Sequence, residues 1–264
     1  MIPLRDNIPS RTTPVVNYLM IGLCTVVFLA QRIESPETAL IERYGMIPVR
    51  VKHPGTPVEI RDQKVIRTPS GIQIDTTSRQ AAEPPVPEWL TLLTCIFLHG
   101  GRMHIIGNML FLYIFGDNVE DRFGHAGYAV FYLACGVAAS LTHLLSAPSS
   151  EVPTIGASGA IAGVMGAYMW LYPRAKVLTL VPLGFILQMI VIPAPVFLGI
   201  WFVIQLFQGS MMDTATGVAW WAHIGGFAAG FVVAGLLGRS HHLRPPVEIV
   251  RSNTERSGVY RVRR

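Results

Sequence analysis

Ser158 sits between small residues, in Gly156-Ala157-Ser158-Gly159, at the start of an apolar stretch that runs to about Trp170. A hydroxyl at a helix N-terminus has free backbone amides beside it, where a negatively charged oxygen can be stabilised. His223 stands near the start of another apolar stretch and has the chemistry of a base and acid for that hydroxyl. His104 and Asn108 are four residues apart, so on a helix they share one face and offer two side-chain donors for an oxyanion. No Asp or Glu lies deep in an apolar stretch to serve as a third member, so the chemistry implied is acyl transfer by a Ser-His dyad.

Each of these residues also has a purely structural reading. Gly159, Gly163 and Gly166 form a small-residue face for another helix, and Ser158 fits there as a packing serine. His223 fits as a neutral imidazole hydrogen-bonded between helices, and His104 with Asn108 as interhelical hydrogen bonds. Yet an ionisable side chain inside an apolar span is by default a functional candidate. Gly226 and Gly230 form a G-x-x-x-G pair just after His223, so packing of that face on the fourth span would carry His223 to Ser158. His99 lies five residues before His104 without the carboxylates or further histidines of a zinc site, and is expected to fix a loop through hydrogen bonds. His125 and His143 fall at span ends, and His241 and His242 in the tail. Nothing calls for a metal or a cofactor.

The elements that must position these groups are membrane spans. Of 264 residues, 51% are hydrophobic and 14% charged, and the mean hydropathy is +0.43, well off the average for a soluble domain. The net charge of +5 is concentrated at the ends and in loops, with seven of 21 Lys and Arg after Leu237. That pattern suits anionic lipid beside a membrane anchor and argues against nucleic acid. Cys24, Cys95 and Cys135 have no pair spacing and are expected as buried small apolar residues. The first apolar run is too long and too poorly ended for a cleavable signal peptide.

In chain order, residues 1–14 read as a short polar tail and Val15 to Ala30 as the first span. Residues 31–88 form a long polar loop, in which Val58 to Arg67 alternates apolar and polar residues as in a small hairpin. Trp89 to His99 suits the interface. A second span runs from Met103 to Phe115 and ends at Gly116-Asp117-Asn118, followed by an acidic turn from Asp117 to Asp121. The third runs from Tyr128 to Leu145 and the fourth from Ser158 to Tyr172. Leu178 to Pro195, broken by Pro182, Gly184, Pro193 and Pro195, reads as an interfacial segment. The fifth span centres on Val196 to Phe207 and the sixth on Trp220 to Leu237. Residues 239–264 form a basic tail. The fold class expected is an all-α polytopic bundle of six spans over residues 15–238. Arg5, Arg11, Arg174, Lys176 and the basic tail share one side, while Ser146 to Ile155 and Gly209 to Val218 have no basic residue, so both termini are expected in the cytoplasm. Ser158, His223, His104 and Asn108 then converge in the outer half of the membrane.

The combination resembles the rhomboid family of intramembrane serine proteases. The matching residues are Trp89-Leu90-Thr91-Leu92-Leu93-Thr94, Phe97-Leu98-His99-Gly100-Gly101, His104-x-x-x-Asn108, Gly116-Asp117-Asn118-Val119-Glu120, Gly156-Ala157-Ser158-Gly159 and Ala222-His223-x-x-Gly226-x-x-x-Gly230, with Glu42-Arg43-Tyr44-Gly45 in the first loop. The resemblance implies Ser158 as nucleophile, His223 as general base and acid, and His104, Asn108 and the Ser158 amide around the oxyanion. It implies the fifth span and the loop with Met211 and Met212 as a lateral gate and cap. Substrates would be transmembrane helices of other proteins. Apart from the resemblance, six spans, no transit peptide and a basic tail suggest a bacterial inner membrane. Some members carry a tyrosine four residues after the serine, stacked on the histidine. Here that position is Ala162, so the orientation of His223 must be secured otherwise. Residues 52–85 match nothing in the family pattern. The rival readings are a catalytically silent relative that binds transmembrane helices, expected to lack Ser158 or His223, and a transporter, expected to show repeated halves and mid-span carboxylates.

Overall fold

A computed structural model describes residues 1–34, 38–68, 71–183, 186–211, 219–240, 242–245, 249–250 and 261–262. Six helices form the bundle. They are α1 (Val15–Ile33), α5 (Arg102–Phe123), α6 (His125–Ser146), α7 (Ser158–Leu171), α8 (Ala194–Met211) and α9 (Trp220–Arg239). Short helices α2 (Ala39–Tyr44), α3 (Pro48–Lys52) and α4 (Thr91–Thr94) lie in the connection between α1 and α5. By length and apolarity α1, α6 and α9 are each able to cross a membrane, and α5 joins them as one span with the bent segment before it, Glu88–Phe97. Helices α7 and α8 are apolar but shorter, consistent with six spans. This is a polytopic helical membrane protein.

Helix α7 is the axis. Eleven of its 14 residues are buried, around its whole circumference, so it is enclosed by other helices rather than by lipid. Small residues make this enclosure close. A side chain at Gly226 of α9 would collide with the Gly159 carbonyl, and one at Gly230 with the Gly163 carbonyl. Cβ atoms on Gly159 and Gly163 would run into Ala139 and Cys135 of α6. The two glycine faces therefore meet backbone to backbone.

Helix α5 does not end at Gly116. It continues through Asp117, Asn118, Glu120 and Asp121, all read from the sequence as a turn. Donors distant in sequence are what permit buried carboxylates there. The Glu120 carboxylate accepts from the Val16 and Asn17 amides at 3.0 and 2.7 Å, capping the open N-terminus of α1 where its dipole favours a negative charge. Asp121 accepts from the Arg11 and Thr12 amides and from their side chains. Ser10 donates to Asp117 at 2.6 Å, and Asn17 donates to the Leu112 carbonyl at 3.0 Å.

Residues 1–14 are thus built into the fold rather than forming a tail. Strand β1 (Ile2–Asp6) pairs antiparallel with β4 (Lys176–Leu183), which pairs with β5 (Ile186–Pro193). The segment expected to lie flat in an interface is therefore this β4–β5 hairpin. Its apolar runs carry no helical period, and Ile186, Leu187, Met189 and Val191 remain exposed. Pro193 ends β5, and α8 begins at Ala194, with Pro195 in its first turn where the missing N–H costs nothing. Beyond α9, Arg244 exchanges hydrogen bonds with Arg122, Arg244 N–H to the Arg122 carbonyl and Arg122 Nε–H to the Arg244 carbonyl.

Asp6 makes the sheet sensitive to pH. It accepts from Tyr168 and, at 2.9 Å, from Asn118. Burial raises its carboxyl to about 7, against the lowering effect of the Tyr168 hydroxyl, and Asp117 nearby adds to the rise. The folded state therefore holds a proton that the unfolded chain releases near pH 4, and stability should fall as pH rises from about 4 to about 7. Asp6→Asn is expected to flatten that slope, worth on the order of a few kcal/mol across the window. Thermal unfolding in detergent at pH 5 and pH 8 reads it: wild type should lose several degrees more than the variant.

At the opposite end of the bundle the long connection carries β2 (Glu59–Thr68) and β3 (Gly71–Gln80), an antiparallel hairpin. Its base is fastened by Glu42 of α2, which takes both Arg79 guanidinium nitrogens at 2.9 and 2.6 Å and the Ala82 amide at 3.0 Å. Arg79 draws the Glu42 carboxyl down to about 2. Arg50 donates to the Ala81 and Ala82 carbonyls, and Ile47, Val58 and Ala81 make a small apolar core beneath. The loop next to it is tied to the chain before Ser158: Met46 and Thr154 exchange amide hydrogen bonds at 3.0 and 2.8 Å.

Candidate functional site

Helix α7 begins at Ser158, so the amides of its first turn have no carbonyl partner within the helix. The chain enters through Gly156, whose φ of 123° suits glycine. A Cβ there would also lie 2.8 Å from His104 Nε2, so Gly156 lets the His104 ring stand beside the nucleophile candidate. The Gly156 amide is fixed at 2.9 Å to the Cys95 carbonyl.

His223, in the first turn of α9, lies across the glycine seam. Its Nε2 is 2.8 Å from Ser158 Oγ. Its Nδ1 is 2.7 Å from Gln205 Oε1 of α8. Trp201 of α8 lies 5.9 Å from the imidazole at 39°, and Trp220 lies 6.0 Å away, edge-on. Two tryptophans thus flank the ring where Ala162 offers none.

His104 and Asn108, one turn apart on α5, line the same cavity of about 400 Å³ as Ser158, His223, Trp201 and Gln205. His104 Nδ1 accepts the Gly100 amide at 3.2 Å, which leaves the proton on Nε2, on the side of Gly156. Asn108 is 9% exposed and its Nδ2 has no partner among the described residues. A buried amide group without a partner is rare enough to call for an explanation, and a group that visits the cavity supplies one.

The remaining sequence candidates fall as follows. Gly226 and Gly230 meet backbone carbonyls of α7, Gly159 and Gly163 meet side chains of α6, and Gly156 meets the His104 ring. The His99 ring is buried, packs edge-on against His104 at 5.2 Å and lies beside the Phe97 backbone. Its loop is held through its backbone as well, by the Gln31 side chain to the His99 amide and carbonyl at 3.0 and 3.2 Å. His125 pairs with Glu120 at 2.5 Å, at the far end of the bundle. His143, in the last turn of α6, is 6% exposed, and its Nδ1 has no partner among the described residues. Met212 and residues to 218, half of the expected cap, lie outside the described residues, as does His241.

Two residues escaped sequence reasoning, Gln205 and Trp201. Both lie in the apolar run Ile200-Trp201-Phe202-Val203-Ile204-Gln205, where the sequence does not say which residues turn inward.

The helical membrane bundle thus holds a serine–histidine pair and the side chains of His104 and Asn108 in one cavity. The Rhomboid domain profile matches residues 86–240, more than half of the chain, and the chain belongs to the rhomboid family. That family includes intramembrane serine proteases and inactive rhomboid-like members. The chain is 33% identical over 151 residues to the rhomboid protease GluP of Bacillus subtilis, covering 57% of this chain and 26% of GluP. It is 30% identical to RHOMBOID-like protein 5 of Arabidopsis thaliana, covering 55% and 43% of the two chains. Against the chloroplastic Rhomboid-like protein 11 of the same plant it is 31% identical, over 58% and 54%. The matched stretch thus spans about a quarter to a half of these relatives.

Proposed function

We propose that this protein is an intramembrane serine endopeptidase that cuts transmembrane segments of other membrane proteins through an acyl-enzyme. The 2.8 Å hydrogen bond between Ser158 Oγ and His223 Nε2 carries the reading. Ser158 Oγ attacks the scissile carbonyl carbon and its proton passes to His223 Nε2. The carbonyl oxygen becomes negative and faces the Ser158 amide, His104 Nε2–H and Asn108 Nδ2–H. Removing one such donor typically costs about 3–4 kcal/mol of transition-state stabilisation. Collapse expels the amine, which takes the proton from His223. A water that gives its proton to His223 then attacks the acyl carbonyl, and Ser158 is released with its hydroxyl restored.

The length of α7 supports the substrate class. Its 14 residues rise about 21 Å, short of the roughly 30 Å hydrocarbon layer, so Ser158 lies beneath the surface. A substrate span must therefore unwind locally to present an extended carbonyl, which favours small and helix-breaking residues at the cut. The distribution of Lys and Arg supports both termini in the cytoplasm, Ser158 in the outer half and, for a six-span chain, a bacterial inner membrane.

The test is cleavage of a reporter transmembrane segment in proteoliposomes, by wild type and by Ser158→Ala. Product from wild type alone supports the proposal. Equal product from both removes Ser158 from the chemistry. Product from neither, with the segment retained on the protein, favours a catalytically silent helix-binding relative.

A further inference from the structure

The imidazole of His223 is useful to Ser158 only in one tautomer and one orientation, with Nε2 unprotonated and aimed at Oγ. Something must therefore take the proton on Nδ1. Among the described residues, the titratable side chains near enough to act on the ring are His104 from α5 and His143 from α6, and the partner at Nδ1 is Gln205 of α8, 2.7 Å away. We infer that Gln205 is the positioning residue of the dyad: its Oε1 accepts Nδ1–H and so holds His223 in the tautomer that can receive the Ser158 proton. This rests on the reading of Ser158 and His223 as a catalytic pair.

Three observations carry it beyond a chance contact. Gln205 is 6% exposed, although its neighbours Val203, Ile204, Leu206 and Phe207 in the second half of α8 are all exposed. A glutamine turned inward on a lipid-facing helix is costly unless its amide is engaged. Its oxygen lies on the opposite side of the ring from Ser158, so the three side chains form one line, Gln205 Oε1 to Nδ1 and Nε2 to Ser158 Oγ. Trp201, one turn earlier on α8, lies beside the imidazole and limits its rotation about the remaining axis. Helix α8 thus provides both the oxygen that sets the tautomer and the ring that sets the tilt. Since α8 also walls the cavity, any displacement of it takes the orienting oxygen away from His223.

A neutral amide differs from a carboxylate in this position. It orients the imidazole without adding a charge to the interior, and it stabilises the imidazolium less. That difference supplies the test. Three proteins are compared for cleavage of a reporter transmembrane segment across pH and for the rate at which a fluorophosphonate labels Ser158: wild type, Gln205→Leu and Gln205→Glu. Gln205→Leu is expected to lower kcat about 10–100-fold, the usual effect of losing an orienting partner, with KM within about twofold, and to slow labelling in parallel. Gln205→Glu should recover most of kcat, and the acid limb of its profile should move to higher pH, because a carboxylate beside Nδ1–H favours the imidazolium. A purely structural role moves neither the limb nor the labelling rate of folded protein. The inference is overturned if Gln205→Leu labels and cleaves at the wild-type rate, or if Gln205→Glu leaves the acid limb where it was. Failure of the dyad itself looks different: wild type would then label no faster than Ser158→Ala.

Discussion

His223→Ala is expected to lower kcat by about 10⁴-fold or more, and the double variant Ser158→Ala, His223→Ala to be no slower than the worse single variant. The reason is that in the proposed mechanism the two groups act as one device. Ser158 Oγ is a poor nucleophile until its proton has somewhere to go, and Nε2 at 2.8 Å is the place. Once either is gone, what remains is binding and the donors around the oxyanion, a residual catalysis on the order of 10³–10⁴ over water. Turnover of a reporter transmembrane segment by the four proteins of the cycle checks this. Additive losses, multiplying through to the double variant, would mean that Ser158 and His223 act in separate steps.

The second large effect is expected at the seam between α7 and α9. Gly226→Ala places a methyl group against the Gly159 carbonyl, which is backbone and cannot rotate away. The helices must part. Overpacking of this kind typically costs about 1–3 kcal/mol, and here it also stretches the Ser158–His223 distance. A misplacement of about 1 Å can cost about 10²-fold in rate. Gly226→Ala should therefore lose several degrees of thermal stability and most of its activity together. Gly22→Ala on α1 is the control, since a Cβ there meets nothing within 4 Å. If Gly226→Ala matched this control in both melting temperature and turnover, direct backbone contact at the seam would be disproved.

The same seam explains why so much of the site is legible in the sequence. Gly159, Gly163, Gly226 and Gly230 announce close helix approach by spacing alone, and Ser158 and His223 stand at matching ends of those two faces. Once the spans alternate in direction, a few polar residues in apolar runs have little freedom in depth. Rotation is another matter. Hydropathy says that residues 200–207 lie in a span but not which of them turns inward, because lipid and protein interior are equally apolar. Gln205 and Trp201 were illegible for that reason. The end of α5 was misjudged on different grounds. Asp117, Glu120 and Asp121 look like a solvated turn until Ser10, Arg11, Thr12 and the first amides of α1 are brought beside them. Proline spacing likewise marked where residues 178–195 break but not that the pieces pair as strands. A continuous apolar run shows no alternation to distinguish a hairpin from a segment lying flat.

Those partners of the α5 carboxylates bear on how the protein is made. Asp6, Asn7, Ser10, Thr12 and Asn17 leave the ribosome long before the groups they bind, which lie 95 to 169 residues further along. During synthesis, therefore, α1 enters the membrane with its first amides uncapped and waits for α5 to deliver Glu120. Strand β1 waits longer still, until α7 has been inserted and β4 follows it. The amino-terminal segment is thus a clasp that fastens only after α7 is in place. A chain stalled or cut before residue 176 would hold the glycine seam's first half and the Ser158 hydroxyl, yet leave that clasp open.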